Sequence, residues 1–460
     1  MKKNNVKGTE SQAAAHDFAT TSVPPGSRRS FYGVSMVWVG WCISLSAFLT
    51  GGTIGAGNKL GIGLLAVLVG NLLLFALASL CGTVGFRTGR ATASLFQAVF
   101  GSKGSVVVSV LLGISAMSFI GVLLNSFANT LTALLPWIPF WVAILVFGIL
   151  ILATVLRGFK GLEWLGNVAG PMLWVLLALC LYATLKKYGT ATLIAYEPEK
   201  PLDFITSVGA AVATWIAGAG MASDVTRYSK KVSHVWGGAL LGYILGAGLF
   251  EAVAAVCAIG VGDGNLVVVM SKLGLLIPAV LVLGLALWTT TGSNVYSSSL
   301  AFTNAAKIAG LNIPGYVFSI ISTVIAMAVA FLGLASKFSS WLSFCGSLCG
   351  PIAGMTIAHF LVMNRKSTKI FVPKNLRLSA WLSWASAFVL SQITKSAIPA
   401  LTAIALGFAL YIVFSFVLDK KLNIHKEATD GSADGQVWDM PTSKEVAALV
   451  EAAEKDRQNA

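Results

Sequence analysis

Long apolar stretches separated by short polar ones run through most of the chain. Those long enough to cross about 30 Å of hydrocarbon as helices fall at about residues 31–57, 61–86, 104–135, 137–156, 162–185, 204–223, 235–261, 273–306, 314–335, 338–363, 378–394 and 399–418, numbered here as segments 1 to 12. None shows the period-two alternation of a membrane β-strand, and backbone groups in lipid must find their partners internally. The pattern therefore predicts an all-α integral membrane protein of twelve transmembrane helices. It divides the chain into a tail at 1–30, a helical domain at 31–418 and a second tail at 419–460.

Composition agrees with that division. Of 460 residues, 56% are hydrophobic, and the chain carries 32 basic and 18 acidic side chains. Residues 1–30 hold 7 of these charges and residues 419–460 hold 15, so a chain of water-soluble domains is excluded. The formal charge of +14 does not point to nucleic acid, because the basic residues lie in short loops and form no continuous basic face. They point to a lipid bilayer. Twelve crossings put both tails and every even-numbered loop on one side, which then receives 25 basic residues against 7 on the other. The positive-inside rule assigns the richer side to the cytoplasm, with the chain in the cell membrane and both termini cytoplasmic. The polar N-terminal tail begins no apolar core of a signal peptide, so the chain is expected to enter the membrane by its own segments. Cys42, Cys81, Cys180, Cys257, Cys345 and Cys349 all fall in apolar stretches and read as small hydrophobes. No segment carries paired His and Glu at metal spacing, paired carboxylates or a GxSxG elbow, which disfavours a membrane enzyme, and a receptor would need a larger signalling domain.

Several segments are unlike simple lipid-spanning helices. Segment 1 contains Gly40 to Ser46 and then the run Thr50 to Gly57; segment 6 contains Thr214 to Asp224, with glycines at 218 and 220. Such runs serve close packing or mark backbone unwound around a polar cavity. Segments 1 and 6 are corresponding members of two consecutive five-helix halves, the pattern of an inverted-repeat transporter with discontinuous helices at its centre. Segment 8 holds the densest polar cluster, Thr289 to Thr291 and Ser293 to Ser299, in which the Asn294 amide needs several partners. Glu251 is the one carboxylate deep within a segment. It is either a proton-coupling or substrate-contacting group or a neutral acid hydrogen-bonded between helices. In the second tail, Thr442 and Glu445 have capping-box spacing ahead of a short solvated helix, reached through a disordered linker.

From about Ser27 to Asp419 the sequence resembles the nucleobase:cation symporter family 1, in its cytosine permease branch. The likeness is carried by TGGTIGAG at 50–57, GNLLLFAL at 70–77, FGSKGS at 100–105, GFKGLEWL at 158–165, PLDF at 201–204, SDVTRY at 223–228, LWTT at 287–290 and WLSFCG at 341–346, in that order. The resemblance implies a LeuT-type five-plus-five inverted repeat with discontinuous helices 1 and 6, plus two extra C-terminal helices. It implies a sodium site made of backbone carbonyls near Gly40 and at Ile43 to Ser44, the Ala286 carbonyl and the hydroxyls of Thr289 and Thr290. It also implies a substrate cavity in which Trp215 stacks on a flat ring, completed by Ser115, Ser118, Phe119, Thr214 and Asn294. Asp224 and Arg227 look like the family's cytoplasmic Asp-x-x-Arg element and are expected to make a structural ion pair with cytoplasmic loops instead of a substrate contact. His359, where the family usually has aspartate, is expected at the interface.

Two departures bear on specificity. The cytosine branch places glutamine where Ala116 aligns and serine where Ala217 aligns, so two hydrogen-bonding groups are absent. The expected activity is sodium-driven import of a small planar nucleobase, with no cofactor beyond the co-transported ion. The alternative is a proton-coupled permease for purines, hydantoin, allantoin or a thiamine-precursor pyrimidine.

Overall fold

The computed structural model describes residues 18–264, 266–333, 338–394, 396, 398–419 and 435–458. The linker expected to be disordered, marked by Asp430, Asp434 and Asp439, lies outside the described residues at 420–434, and its end is corrected, since Asp439 closes the strand Gly435–Asp439.

Each of the twelve apolar segments is helical over most of its length. Among the described residues five helices are long and apolar enough to cross a membrane by themselves: Leu60–Thr88, Ser102–Leu134, Phe159–Ile194, Val232–Val261 and Pro399–Asp419. Segment 1 passes the same test as a bent pair, Phe31–Cys42 and Ser46–Ala56, with an angle of 57° between its halves. Segments 4, 6, 9 and 11 are shorter, at 16 or 17 residues.

The bend in segment 1 has a local cause. Ile43 and Ser44 are extended, at φ −81°, ψ 108° and φ −141°, ψ 162°. Ser44 then starts a second helix, Leu45–Ala56, by accepting a hydrogen bond from the Ala47 amide at 3.1 Å. The glycine run is thus not the unwound part. A Cβ at Gly51 would stand 2.2 Å from the Glu251 carbonyl oxygen, and one at Gly55 would stand 2.4 Å from that of Ala255. Those glycines let segments 1 and 7 pack backbone to backbone. Segment 6 likewise stays helical through Ala217 to Gly220 and breaks at Met221–Ala222, before the single turn Ser223–Thr226. The break therefore lies beyond the small-residue run.

Segments 3 and 8 share the most extensive interface in the bundle. Gly113 and Gly121 admit Phe302 of segment 8 and Val329 of segment 9. Among the described residues the interior holds two large apolar clusters and two small ones. One large cluster contains Trp38, Trp41, Phe96, Trp215 and Tyr243, the other Phe48, Phe127, Leu165 and Phe250, and Trp288 touches both.

Both tails dock on one face. Arg28 donates to the carbonyls of Ser229 at 2.7 Å and Phe86 at 3.0 Å, and Arg90 donates to Thr20 at 3.1 Å. The expectation of an all-α chain is corrected by one antiparallel ribbon: β1, Lys369–Pro373, pairs with β2, Gly435–Asp439, in the register Phe371↔Val437. Both strands combine β-branched and aromatic residues, which suit a pleated surface. The tail helix Ser443–Gln458 has the expected capping box, with the Thr442 amide donating to Glu445 at 2.7 Å. It is docked instead of solvated, because Val446 and Val450, on one helix face, are buried, Val446 among Phe86 and Val235. Glu454 pairs with Lys230.

Candidate functional site

The break in segment 1 exposes helix-terminal carbonyls that have no partner within the helix. Segment 8 meets them with hydroxyls. Thr290 Oγ1 lies 3.1 Å from the Trp41 carbonyl and 3.2 Å from that of Ile43. Its single proton serves one of them at a time. Thr289 Oγ1 donates to the carbonyls of Leu285 at 2.9 Å and Ala286 at 3.2 Å. Gly40 allows the approach: a Cβ there would be 3.2 Å from the Thr289 Cβ. The Ser44 hydroxyl caps the second half-helix and lies 2.7 Å from Ser46 Oγ. Of the expected set, Ile43 meets Thr290 through its carbonyl and Gly40 packs on Thr289, whereas the Ala286 carbonyl accepts from Thr289 within segment 8 and the bonds of Ser44 stay within segment 1. Trp41, which the sequence did not single out, adds a carbonyl. Among the described residues no group of three or more His, Cys, Asp or Glu side chains converges as a metal site would require.

Beside this junction lies a narrow cavity of about 30 Å³. Its polar lining comes from Ser46, Ser115, Thr214, Thr290, Asn294 and Cys349. Apolar walls are supplied by Phe119, Trp215, Ala116, Ala217 and Met221. Trp215 is 6% exposed and meets Trp41 edge-on at 6.4 Å, while Trp41 stacks on Trp38 one helical turn away at 5.7 Å. The Trp215 Nε1 atom is buried and has no hydrogen-bond partner among the described residues. Thr214 shares a hydrogen bond with Thr50 at 2.9 Å, joining segment 6 to the second half of segment 1. Asn294 spends one amide proton on the Thr290 carbonyl at 2.9 Å.

Of the six expected substrate-contacting residues, Ser115, Phe119, Thr214, Trp215 and Asn294 line this cavity. Ser118 does not. Its hydroxyl donates back to the Ile114 carbonyl at 2.8 Å, one turn earlier on another face of segment 3. Ser46, Met221 and Cys349 line the cavity without having been singled out. Ser46 follows the break in segment 1 and Met221 occupies the break in segment 6, so knowing where the helices stop would have found them. Cys349 gave no signal beyond its place in an apolar stretch.

Glu251 is remote from this lining. It is fully buried on segment 7, where Oε2 accepts from Asn71 Nδ2 at 2.8 Å and Oε1 has no partner among the described residues. A π-helical stretch, Leu240–Gly248, precedes it. Asp224 and Arg227 act through wider contacts than one ion pair. Asp224 accepts from the Thr92 amide at 2.8 Å, and Arg227 donates to Tyr296 at 2.7 Å and to the Phe18 carbonyl at 2.9 Å. They fasten the end of segment 6 to segment 8 and the N-terminal tail. His359 is 3% exposed, and its Nδ1 lies 3.0 Å from the Tyr411 hydroxyl, beside the buried Arg377–Asp419 pair.

Comparison with known proteins gives a consistent picture. The sequence profile of the family described as permeases for cytosine/purines, uracil, thiamine and allantoin matches residues 25–424. The cytosine permease of Escherichia coli strain K12 is 30% identical over 410 residues, covering 88% of this chain and 96% of that protein. A nucleobase-cation-symport-1 family transporter, solved in a closed conformation with bromovinylhydantoin bound, superposes with a TM-score of 0.75 at 18% identity, over 88% of this chain and 96% of that one. A sodium-coupled sialic acid symporter in a substrate-bound outward-open state gives 0.64 at 13% identity, over 88% and 95%. The fold is that of a LeuT-type transporter. Its homologues are permeases and not enzymes.

Proposed function

The chain belongs to the family of permeases for cytosine and purines, uracil, thiamine and allantoin, and on that premise we propose that it imports a small planar nucleobase by symport with sodium. In this reading twelve segments cross the cell membrane, both termini are cytoplasmic, and segments 1 to 10 form the inverted repeat. The observation that carries it is the position of Thr290. The same side chain lines the cavity and reaches the carbonyls of Trp41 and Ile43 at the break of segment 1. An ion that recruits those carbonyls with Thr289, Thr290 and Ala286 fixes the bend and with it the cavity wall, which makes substrate and ion binding mutually favourable. Neutral oxygens suit a hard monovalent cation, and broken helices supply them without a charged side chain in lipid.

The substrate is read from the walls. Trp215 and Phe119 offer aromatic surface for a flat ring. Asn294, Thr214 and Ser115 offer both donors and acceptors for its edge. Ala116 and Ala217 stand in the lining where the cytosine branch has amide and hydroxyl groups, so fewer polar contacts are available to a cytosine edge. A pyrimidine or purine with fewer hydrogen-bonding demands, or a hydantoin-like ring, fits this lining best. The driving force is sufficient: one cation crossing about 100 mV gains about 2.3 kcal/mol, and a tenfold gradient adds about 1.4 kcal/mol.

A second reading, proton coupling, is favoured by Glu251, a buried carboxyl whose Oε1 has no partner among the described residues. An ionisable side chain deep within a membrane segment is a candidate for function. Uptake of labelled cytosine, uracil, hypoxanthine, hydantoin and allantoin separates the readings, with sodium first replaced by choline and pH then stepped. We expect uptake of at least one ring to collapse in choline and Glu251→Gln to retain sodium dependence. Uptake indifferent to sodium, steeply pH-dependent in the native protein and flat in Glu251→Gln, would replace sodium by the proton.

A further inference from the structure

The hydroxyl contacts around the transport cavity have a direction. Segment 6 brings Thr214, Trp215, Ala217, Gly218 and Met221 to the described lining, and of these only Thr214 carries a hydroxyl. Thr214 is 5% exposed, and its Oγ1 makes two contacts: 3.1 Å to the Ala210 carbonyl, one turn earlier, and 2.9 Å to Oγ1 of Thr50 on the second half of segment 1. A carbonyl can only accept, so the one proton of Thr214 goes to Ala210. The bond between the two threonines is then made by the proton of Thr50. Among the described residues the Thr50 hydroxyl has no other partner, so nothing there competes for that proton. Thr214 is left with one lone pair and no proton to offer the cavity.

We propose, on the transport reading above in which Thr214 contacts the substrate, that Thr50 is a positioning residue: it fixes Thr214 as a hydrogen-bond acceptor and so makes the cavity select rings that donate an N–H there. Asn294 completes the pattern. With one amide proton on the Thr290 carbonyl at 2.9 Å, it keeps one N–H and its Oδ1 for the ring, and those two match a lactam unit, an N–H beside a C=O. Thr214 asks for a second N–H. A cyclic ureide, whose ring contains –NH–CO–NH–, supplies both. A ring with a bare nitrogen at the second position sets one lone pair against another, and a fixed acceptor left without its donor discriminates more strongly than an apolar wall does. Ala217, one turn beyond Thr214, carries no hydroxyl that could donate in its place.

Binding to the purified full-length protein, read by competition against the ring it transports, tests this with two pairs: hydantoin against succinimide, and dihydrouracil against glutarimide. In each pair one ring N–H becomes CH2, while ring size, both carbonyls and the imide N–H are kept. The native protein should bind the ureide of at least one pair roughly tenfold or more tighter than its imide. Thr50→Val keeps the side-chain shape and removes the proton, so it should narrow that preference about threefold or more, and Thr50→Ser should keep it. A merely structural role for Thr50 would weaken both rings of a pair alike and leave their ratio unmoved. Should Thr50→Val fold poorly, Thr214→Val, which removes the acceptor itself, should abolish the preference. Equal binding within both pairs by the native protein, a preference that neither variant alters, or transport of another ring with no binding of either ureide overturns the role of Thr50. Failure to bind or transport any ring overturns the transport reading, and this role with it.

Discussion

Two threonines and a tryptophan carry the sharpest expectations at the scale of the residue. Thr289 and Thr290 place two hydroxyls at the junction with segment 1, so Thr289→Ala combined with Thr290→Ala should abolish sodium stimulation of uptake while the purified protein stays folded. Undiminished sodium dependence in that double variant removes the ion from this junction. Trp215 presents its ring to the cavity, and base stacking on an aromatic contributes about 1–3 kcal/mol. Trp215→Ala should then weaken binding roughly tenfold to a hundredfold, and Trp215→Phe much less. Unchanged affinity in monodisperse Trp215→Ala would place the ring elsewhere. Consecutive hydroxyls in lipid made the cluster around Thr289 and Thr290 conspicuous in the sequence, but the roles of these threonines and of Trp215 were implied only by the family resemblance. Ser118 was misplaced for a related reason. A hydroxyl in a helix can satisfy itself on the carbonyl one turn back, as it does on Ile114, and nothing in the sequence distinguishes that serine from Ser115.

Helices were easier to read than their interruptions. The apolar segments declare themselves by length, but where a helix stops depends on which carbonyls find partners from another segment. In segment 1 that partner is Thr290, more than two hundred residues away, and the break at Ile43–Ser44 follows from it. The glycines at 51 and 55, which look like the weak point, are contact surface. Gly51→Ala and Gly55→Ala should each lower the thermal stability measured in detergent, because the new methyl group meets the backbone of Glu251 or Ala255 below van der Waals distance; overpacking of this kind costs about 1–3 kcal/mol. Gly61→Ala is the control, since no atom lies within 4 Å of a Cβ built there. Equal stability of all three proteins would show that segments 1 and 7 do not pack as described.

On the scale of the whole molecule, the charge distribution foretold that the tails share a side but not that they are fixed there. Docking rests on a few apolar and aromatic residues in an otherwise polar tail, a signal too sparse to read without its partner surface. Trp438 is buried with the Arg90 guanidinium 3.8 Å from its ring centre, and Arg90 also holds the Thr20 carbonyl, so one arginine ties both tails to the loop between segments 2 and 3. β2 attaches the same tail to the loop between segments 10 and 11, and Lys230 attaches it to the loop between segments 6 and 7. The described part of the tail thus joins the loops after segments 2, 6 and 10 without lining the cavity beside Trp215. Removing residues 435–460 should therefore lower the unfolding temperature, by exposing Val235, Phe86 and the β1 edge, and leave substrate affinity unchanged. Transport rate is the informative quantity. Alternating access moves the two halves against each other, and a link between their loops on one face slows that motion, so the truncated protein should turn over faster per folded molecule. A truncated protein with normal stability would mean that the tail does not dock in solution. Lower stability with an unaltered turnover rate would mean that it docks on a face that transport does not move.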